Sequence, residues 1–508
     1  MSRLRNYLSA VTSGYFSLAA NTIYTLASIP IALHYLSTDE FGIWVLVAQL
    51  AGYMQFLDFG MANSVPRIII DVKDDRDGEA YAGVIRTSQW INWVQAAVVL
   101  VAGSAASWGC VGLLRVPPLQ AGLFLKLAVA QFAVFAAGYA MRVYTQILTA
   151  HQRLDAVNVL QCVFFTASLG LMWLGFALGF GLFALPLASM GATLLSQGGS
   201  VLLCRAWGLL PRRAAGAIAW PALAELLRLG GGTFLVVLGS QLITSFQPFL
   251  VARYLGLTAA ATWSVCTKLF AFAGQIVWRF FDSSVPALGE MMARGEHDRL
   301  RHRVAGLATA SALLGAVAAV AFALVNQPFI RVWTHAKIGW APANDYLLAV
   351  WLVVLGLFHG PGMLILTSKR LQSQGLVYIA EGLVSLSAGV LLLPRFGIAA
   401  MIASGIACNL CFHGPYVLAR VHRYLGLPLR EVAVRWSLPA ILAAAVGLPL
   451  ALGADRLLGG WAPWPQLVGK AVLAAALGAA LLAAVLPAAI RAEIVARLPG
   501  LRRRQAEA

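Results

Sequence analysis

Fourteen runs of about twenty apolar residues follow one another along this chain, near 12–36, 41–66, 84–106, 118–141, 157–178, 183–206, 229–252, 260–284, 305–326, 345–367, 376–394, 397–420, 437–454 and 467–488. A helix rising about 1.5 Å per residue crosses a hydrocarbon core of about 30 Å in about twenty residues, so each run is long enough to span a bilayer. The connections Ser37–Glu40, Gly179–Leu182 and Pro394–Phe396 are too short to hold a domain. Backbone polar groups in hydrocarbon must find partners within their own segment, which favours helices for runs of this length. The expected fold is an all-α polytopic membrane protein.

Composition closes off the other classes. Of 508 residues, 60% are apolar and 11% charged, whereas soluble domains carry about 25% charged residues. The net charge of +17 invites a nucleic-acid reading, but the cations sit in short clusters between apolar runs, such as Arg212-Arg213, Arg299/Arg301/Arg303, Lys369-Arg370 and Arg502-Arg503-Arg504. That spacing is what the positive-inside rule produces, so no nucleic-acid partner is expected. Arg3 and Arg5 precede an apolar stretch over 11–36. It is longer than a signal-peptide core of about 7–15 residues and reads as the first span. Cys408-x-x-Cys411 has metal spacing but no second ligand pair, so the two cysteines read as small helix residues and no metal or cofactor is expected.

Assigning Lys and Arg to alternate connections gives 27 on one side of the membrane, Arg142 among them, and 6 on the other, with Lys126, Lys268, Arg279 and Lys470 left in or near spans. The asymmetry places both termini in the cytoplasm and requires an even number of spans, which fourteen satisfies.

An internal repeat organises the spans. His34-Tyr35-Leu36, Trp44 and Asn63-Ser64-Val65-Pro66 return as Arg253-Tyr254-Leu255, Trp263 and Ser283-Ser284-Val285-Pro286, at offsets of 219 to 220. Ile147-Leu148-Thr149 returns as Ile365-Leu366-Thr367, and Phe180-Gly181 as Phe396-Gly397. The offset covers six helices, so both copies have the same orientation in the membrane, a parallel repeat. The expected plan is an N-terminal six-helix bundle over 1–215, a C-terminal six-helix bundle over 216–430, and a final helix pair with a basic tail over 431–508. The link over 207–229 reads as an interfacial helix on the cytoplasmic face.

Charges inside the spans are the candidate site residues, because an ionisable group in hydrocarbon costs at least about 2.5–3.5 kcal/mol and normally faces a cavity or a partner. Asp58 lies deep in the second span, within Phe56-Leu57-Asp58-Phe59-Gly60. The eighth span carries Lys268, at the repeat position of Gln49, together with Arg279 and Asp282. Arg279 and Asp282 are i, i+3 neighbours and so can pair on one helix face. Asp58 and Asp282 are candidates for a coupling or structural ion pair. Lys126, near the outer end of the fourth span, and Arg67, at the end of the second, are weaker substrate-binding candidates, each with an anchoring alternative. Glu381 near the end of the eleventh span has the same alternative, and His359 and His413 read as packed polar residues. No catalytic carboxylate pair, nucleophilic triad or phosphate loop can be assembled, so no enzyme activity is expected.

The stretch 29–70, with Tyr35-Leu36-Ser37-Thr38-Asp39-Glu40-Phe41-Gly42-Ile43-Trp44 followed by Leu57-Asp58-Phe59-Gly60-Met61-Ala62, resembles the first helix pair of the polysaccharide transporter family. The O-antigen flippases of that family belong to the multidrug/oligosaccharidyl-lipid/polysaccharide flippase superfamily. The Ile-Leu-Thr elements after helices four and ten and the 6 + 6 + 2 helix plan extend the resemblance along the chain. It implies a flippase that moves undecaprenyl-diphosphate-linked oligosaccharide from the inner to the outer leaflet of a bacterial inner membrane by alternating access. It also implies membrane lipids, a polysaccharide polymerase and chain-length proteins as partners, with no cofactor. A diphosphate needs cations, and Lys268 and Arg279 are the candidates. The competing reading is a cation-coupled multidrug exporter of the MATE type, with Asp58 as its coupling site. A polymerase or ligase acting on the same glycans is disfavoured, because the longest outer loop, over 327–344, holds no acid pair.

Overall fold

The computed structural model describes residues 3–485 except 54–57, 59–60, 75–77, 114–115, 212–237, 244, 283, 285–287, 289–290, 293 and 368–370. Its regular elements are all helical among the described residues. They are α1 (Arg3–Tyr35), α2 (Thr38–Tyr53), α3 (Met61–Val72), α4 (Glu79–Leu113), α5 (Pro118–Ala150), α6 (Leu154–Ala177), α7 (Ala184–Ala206), α8 (Gln247–Leu255), α9 (Leu257–Cys266), α10 (Lys268–Asp282), α11 (His297–Trp333), α12 (Pro342–Thr367), α13 (Leu371–Cys408), α14 (Gly414–Leu425), α15 (Leu438–Leu458) and α16 (Pro463–Val485). Ten segments are long and apolar enough to cross a membrane. The chain is an all-α polytopic membrane protein.

The ten segments correspond to eleven of the fourteen expected spans, because Ser373–Leu425 is one segment holding two of them. The second span is divided into α2 and α3, and the eighth into α9 and α10, so neither forms one long helix. The seventh lies partly outside the described residues, as does the link over 207–229. Inside α13 the backbone leaves the helix at Gly397, whose φ is 70°. Its repeat counterpart Gly181 has φ 52°. The repeated Phe-Gly thus marks a left-handed backbone position that glycine adopts without strain.

The chain divides into two compact units, Met1–Ala261 and Thr262–Ala508. In the first unit, α4 packs on α5, α6 on α7, α1 on α6, and α2 and α3 both lean on α5. The apolar face of α3 buries Met61, Val65, Ile68 and Ile69 against Tyr81, Val143 and Ile147. Ser37 and Glu40 form a capping box at the start of α2: the Ser37 N–H donates to Glu40 Oε2 at 2.8 Å and the Glu40 N–H to Ser37 Oγ at 3.2 Å. This local pair is why so short a connection can start a new span. Four residues into α2, Gly42 lies against the Leu257 carbonyl, with which a Cβ at this position would collide. Gly42→Val is therefore expected to lower the melting temperature of the purified protein by several degrees, since overpacking against backbone typically costs about 1–3 kcal/mol. A thermal melt in detergent checks this, with Gly52→Ala as control, because nothing lies within 4 Å of a Cβ there.

In the second unit, α11 is the central helix and packs against α10, α12, α15 and α16. Its buried Ala308, Ala312, Ala316, Ala319 and Ala323 give it small-residue faces, which let membrane helices approach closely. The final pair, α15 and α16, is pinned by Asp455, which accepts from Lys470 Nζ and, at 2.6 Å, from the Tyr346 hydroxyl of α12. Lys470 is 3% exposed, so this charge is compensated inside the protein.

Candidate functional site

The break between α2 and α3 places Asp58 beside α5. Arg142 Nη1 of α5 donates to Asp58 Oδ1, and both side chains are 17% exposed. Arg142 Nη2 donates to Gln95 Oε1 at 2.8 Å and to Asn92 Oδ1 at 3.1 Å. Gln95 Nε2 returns to the Asp58 carbonyl at 3.1 Å, and Asn92 Nδ2 passes to Gln146 Oε1 at 3.1 Å. Gln146 Nε2 then reaches the Met61 carbonyl at 3.3 Å. The guanidinium also lies 4.5 Å from the Tyr139 ring centroid, within cation–π range. The network thus ties both ends of the broken span to α4 and α5. It is internally neutral, one carboxylate against one guanidinium.

Counting by connection puts Arg142 among the cytoplasmic anchors, and the structure places it in this ion pair instead. Removing it leaves the basic asymmetry intact. Two signals in the sequence point to the network: Asn92 with Gln95 at i, i+3, and Arg142 with Gln146 at i, i+4, each on one face of an apolar helix.

In the second unit, α10 buries Gly274, Val277 and Phe281 on one face. Lys268, Gln275 and Arg279 lie exposed on the other, interleaved with exposed Phe272, Ile276 and Phe280. Lys268 and Arg279 are eleven residues apart, which on one helix sets them within about 20° of the same face and about 16 Å apart along the axis. The i, i+3 pairing of Arg279 with Asp282 is not what the structure contains. Asp282 Oδ1 is 2.8 Å from His359 Nε2 of α12, and that imidazole stacks on Trp278 with ring centroids 5.2 Å apart. Arg279 forms no ion pair with a described residue. Gln275 is the member of this stripe that charge alone does not reveal.

Asp58 and Lys268 lie in different units, and Asp58 and Asp282 each have their own partner. Lys126 is exposed on α5. The side chain of Arg67 lies outside the described residues. Cys408 ends α13, and Cys411 sits in the π-helical turn Asn409–His413 that follows, the one buried and the other exposed.

No protein-family model matches the sequence, and no curated protein matches it either. Solved structures do match. The lipid II flippase MurJ in an inward closed conformation aligns over 93% of this chain and 100% of its own, with a TM-score of 0.65 at 11% identity. An inward-facing MATE family transporter of the MOP superfamily aligns over 81% of this chain and 99% of its own, with a TM-score of 0.63 at 13% identity. The chain has the fold of the MOP-superfamily transporters. A third member of that group, from Pyrococcus furiosus and described as having a binding pocket of reverse polarity, aligns over 83% of this chain and 95% of its own, with a TM-score of 0.61 at 12% identity.

Proposed function

We propose that this chain is a flippase that translocates undecaprenyl-diphosphate-linked oligosaccharide across the bacterial inner membrane by alternating access, for assembly of a surface polysaccharide. It works with both termini in the cytoplasm and without enzymatic chemistry of its own. The observation that carries the reading is the exposed face of α10. Lys268 and Arg279 stand there without a carboxylate partner among the described residues, while the acid of the first unit's network is already neutralised by Arg142. A diphosphate supplies the anionic oxygens such a pair attracts, and guanidinium and ammonium groups are the usual phosphate binders. Gln275 between them offers an amide for sugar or phosphate oxygens. Two cations without an acid partner among the described residues suit cationic drugs poorly, which weighs against a multidrug exporter of the MATE type. The shared fold with a lipid II flippase supports a lipid-linked substrate.

The test is a clean deletion in the source bacterium. Expected are accumulation of the lipid-linked glycan on the cytoplasmic leaflet and depletion of surface polysaccharide, both reversed by the intact gene. Unchanged surface polysaccharide together with raised sensitivity to cationic drugs would favour the exporter.

A further inference from the structure

Among the acids in or beside the helical spans, Asp58 pairs with Arg142, Asp282 with His359 and Asp455 with Lys470. Asp345 and Glu381 have no cationic partner among the described residues. Both are buried, at 1% and 0% exposure, and each faces an asparagine, Asn326 of α11 for the first and Asn409, just after α13, for the second. Asn326 Nδ2 donates to Asp345 Oδ1 at 2.7 Å, and Asn409 Nδ2 donates to Glu381 Oε1 at 3.1 Å. In both pairs the same two atoms are left over. Asp345 Oδ2 and Asn326 Oδ1 are buried acceptors without a partner, and so are Glu381 Oε2 and Asn409 Oδ1.

An ionised carboxyl and an amide oxygen are both acceptors only, so neither leftover atom can serve the other. One hydrogen on the free carboxyl oxygen changes that. It donates to the amide oxygen and closes a planar ring of two hydrogen bonds between acid and amide. The same hydrogen removes a buried charge that no cation among the described residues balances, and a buried charge without a partner is costly. A single proton at each site therefore satisfies two buried acceptors and neutralises one buried charge. We infer that Asp345 and Glu381 are proton-binding sites, each held as a neutral acid in a ring with its asparagine, so that the second unit carries two protons that a transport cycle can release and rebind.

The surroundings of the two sites fit this assignment. Around Asp345, Trp340 Nε1 donates to Oδ1 at 3.0 Å, and the Gln327 amide, which donates to the Trp340 carbonyl at 3.1 Å, also acts on the carboxyl. The titratable groups acting on it are Cys266 of α9, Tyr346 of its own helix, and Asp455 of α15, whose charge Lys470 of α16 offsets. Glu381 is acted on by Tyr378 of its own helix and by Cys408, and His413 stacks on Tyr378 with ring centroids 4.9 Å apart. No lysine or arginine among the described residues pairs with either acid. Asn409 opens the π-helical turn Asn409–His413, a distortion common at functional sites.

The pair Asp345–Asn326 also has a mechanical connection. The second N–H of Asn326 Nδ2 donates to the Cys266 carbonyl at 3.1 Å. That carbonyl sits where the eighth span is interrupted at Thr267, one residue before Lys268. Losing the proton sets two acceptors face to face, which pushes Asn326 away and loosens its hold on the break. Protonation of Asp345 is thus linked to the backbone that carries Lys268, whatever the transported substrate is.

Infrared difference spectroscopy on the purified full-length protein in lipid nanodiscs tests the assignment without any transport assay. At neutral pH the native protein should show two protonated-carboxyl C=O bands that disappear on alkaline titration. Asp345→Asn should remove one band and Glu381→Gln the other. Both variants should fold, since an amide keeps the shape and neutrality of the acid and donates an N–H where the acid donates an O–H. Absence of any protonated-carboxyl band at neutral pH in the native protein would overturn the inference. So would carboxylate bands of these two residues that respond to added sodium at constant pH, which would mark a metal-cation site.

Discussion

Arg142→Met is expected to destabilise the folded protein by about 3–5 kcal/mol, the loss typical when one member of a buried ion pair is removed. The reason lies in what stays behind. Asp58 would stay at 17% side-chain exposure with the guanidinium gone, and Gln95 and Asn92 would each lose a donor to their side-chain oxygens. Buried acceptors left in that way cost about 1–3 kcal/mol each, so part of the loss belongs to the amides and not to the carboxylate. Asp58→Asn should cost less, because an amide still accepts from Arg142, although the guanidinium is then uncompensated. The double variant Arg142→Met/Asp58→Asn should recover most of the stability lost in the first single variant, as replacing both members of a buried pair is often near neutral. Thermal unfolding in detergent, followed by the monodisperse fraction on size exclusion, reads all three. Because Asp58 and Arg142 balance each other's charge, transport should return with stability in the double variant. A folded double variant without transport would move Asp58 and Arg142 from holding the broken second span to handling substrate.

The contrast between the two units shows what a sequence can and cannot disclose about such a protein. Spans are local: each is a continuous apolar run, and the packing that follows scarcely alters where it begins or ends. The short turn at Ser37–Glu40 is also local, a serine and a glutamate at capping spacing. Breaks within spans are different. The division of the second span is held by Gln95 and Gln146, 37 and 85 residues away from the carbonyls they reach. The division of the eighth span is held by Asn326, 60 residues from the Cys266 carbonyl. Neutral amides leave no mark in a charge census, so a reading guided by charge finds Asp58 and passes over the amides around it. Position along a connection misled for Arg142 for a related reason, since a basic residue near the end of a run looks the same whether it points to water or to a buried acid. For Asp282, helical spacing offered Arg279 as partner, and the fold supplies His359 from α12, 77 residues away. The spacing of Lys268 and Arg279 on one face was legible because it is helical, and α10 is one helix from Lys268 to Asp282.

That relation yields the second large expectation. Lys268→Met and Arg279→Gln should each reduce transport of lipid-linked glycan by roughly tenfold to a hundredfold, matching the loss of a charge-assisted hydrogen bond worth about 1.5–3 kcal/mol. Expression and folding should persist, because both side chains are exposed on α10 and neither takes part in an ion pair among the described residues. Charge-preserving swaps separate attraction from geometry. Lys268→Arg and Arg279→Lys should retain part of the activity, since a fork and a point charge bind phosphate differently but both attract it. An alternative role for Arg279 would be to balance Asp282, in which case Arg279→Gln/Asp282→Asn would restore what the single variant lost. The structure argues against rescue: Asp282 already has His359 at 2.8 Å, held by stacking on Trp278, so the double variant should be at least as impaired as Arg279→Gln. Stability offers an independent check on which environment the cations face. An unpaired lysine turned to hydrocarbon is a cost to the fold, and its neutral replacement would raise the melting temperature while leaving transport intact. A cation kept for an anionic substrate behaves in the opposite way, with transport lost and the melting temperature nearly unchanged. Full transport by Lys268→Met in a flipping assay on proteoliposomes would therefore remove α10 as the diphosphate site, whatever the fate of Arg279.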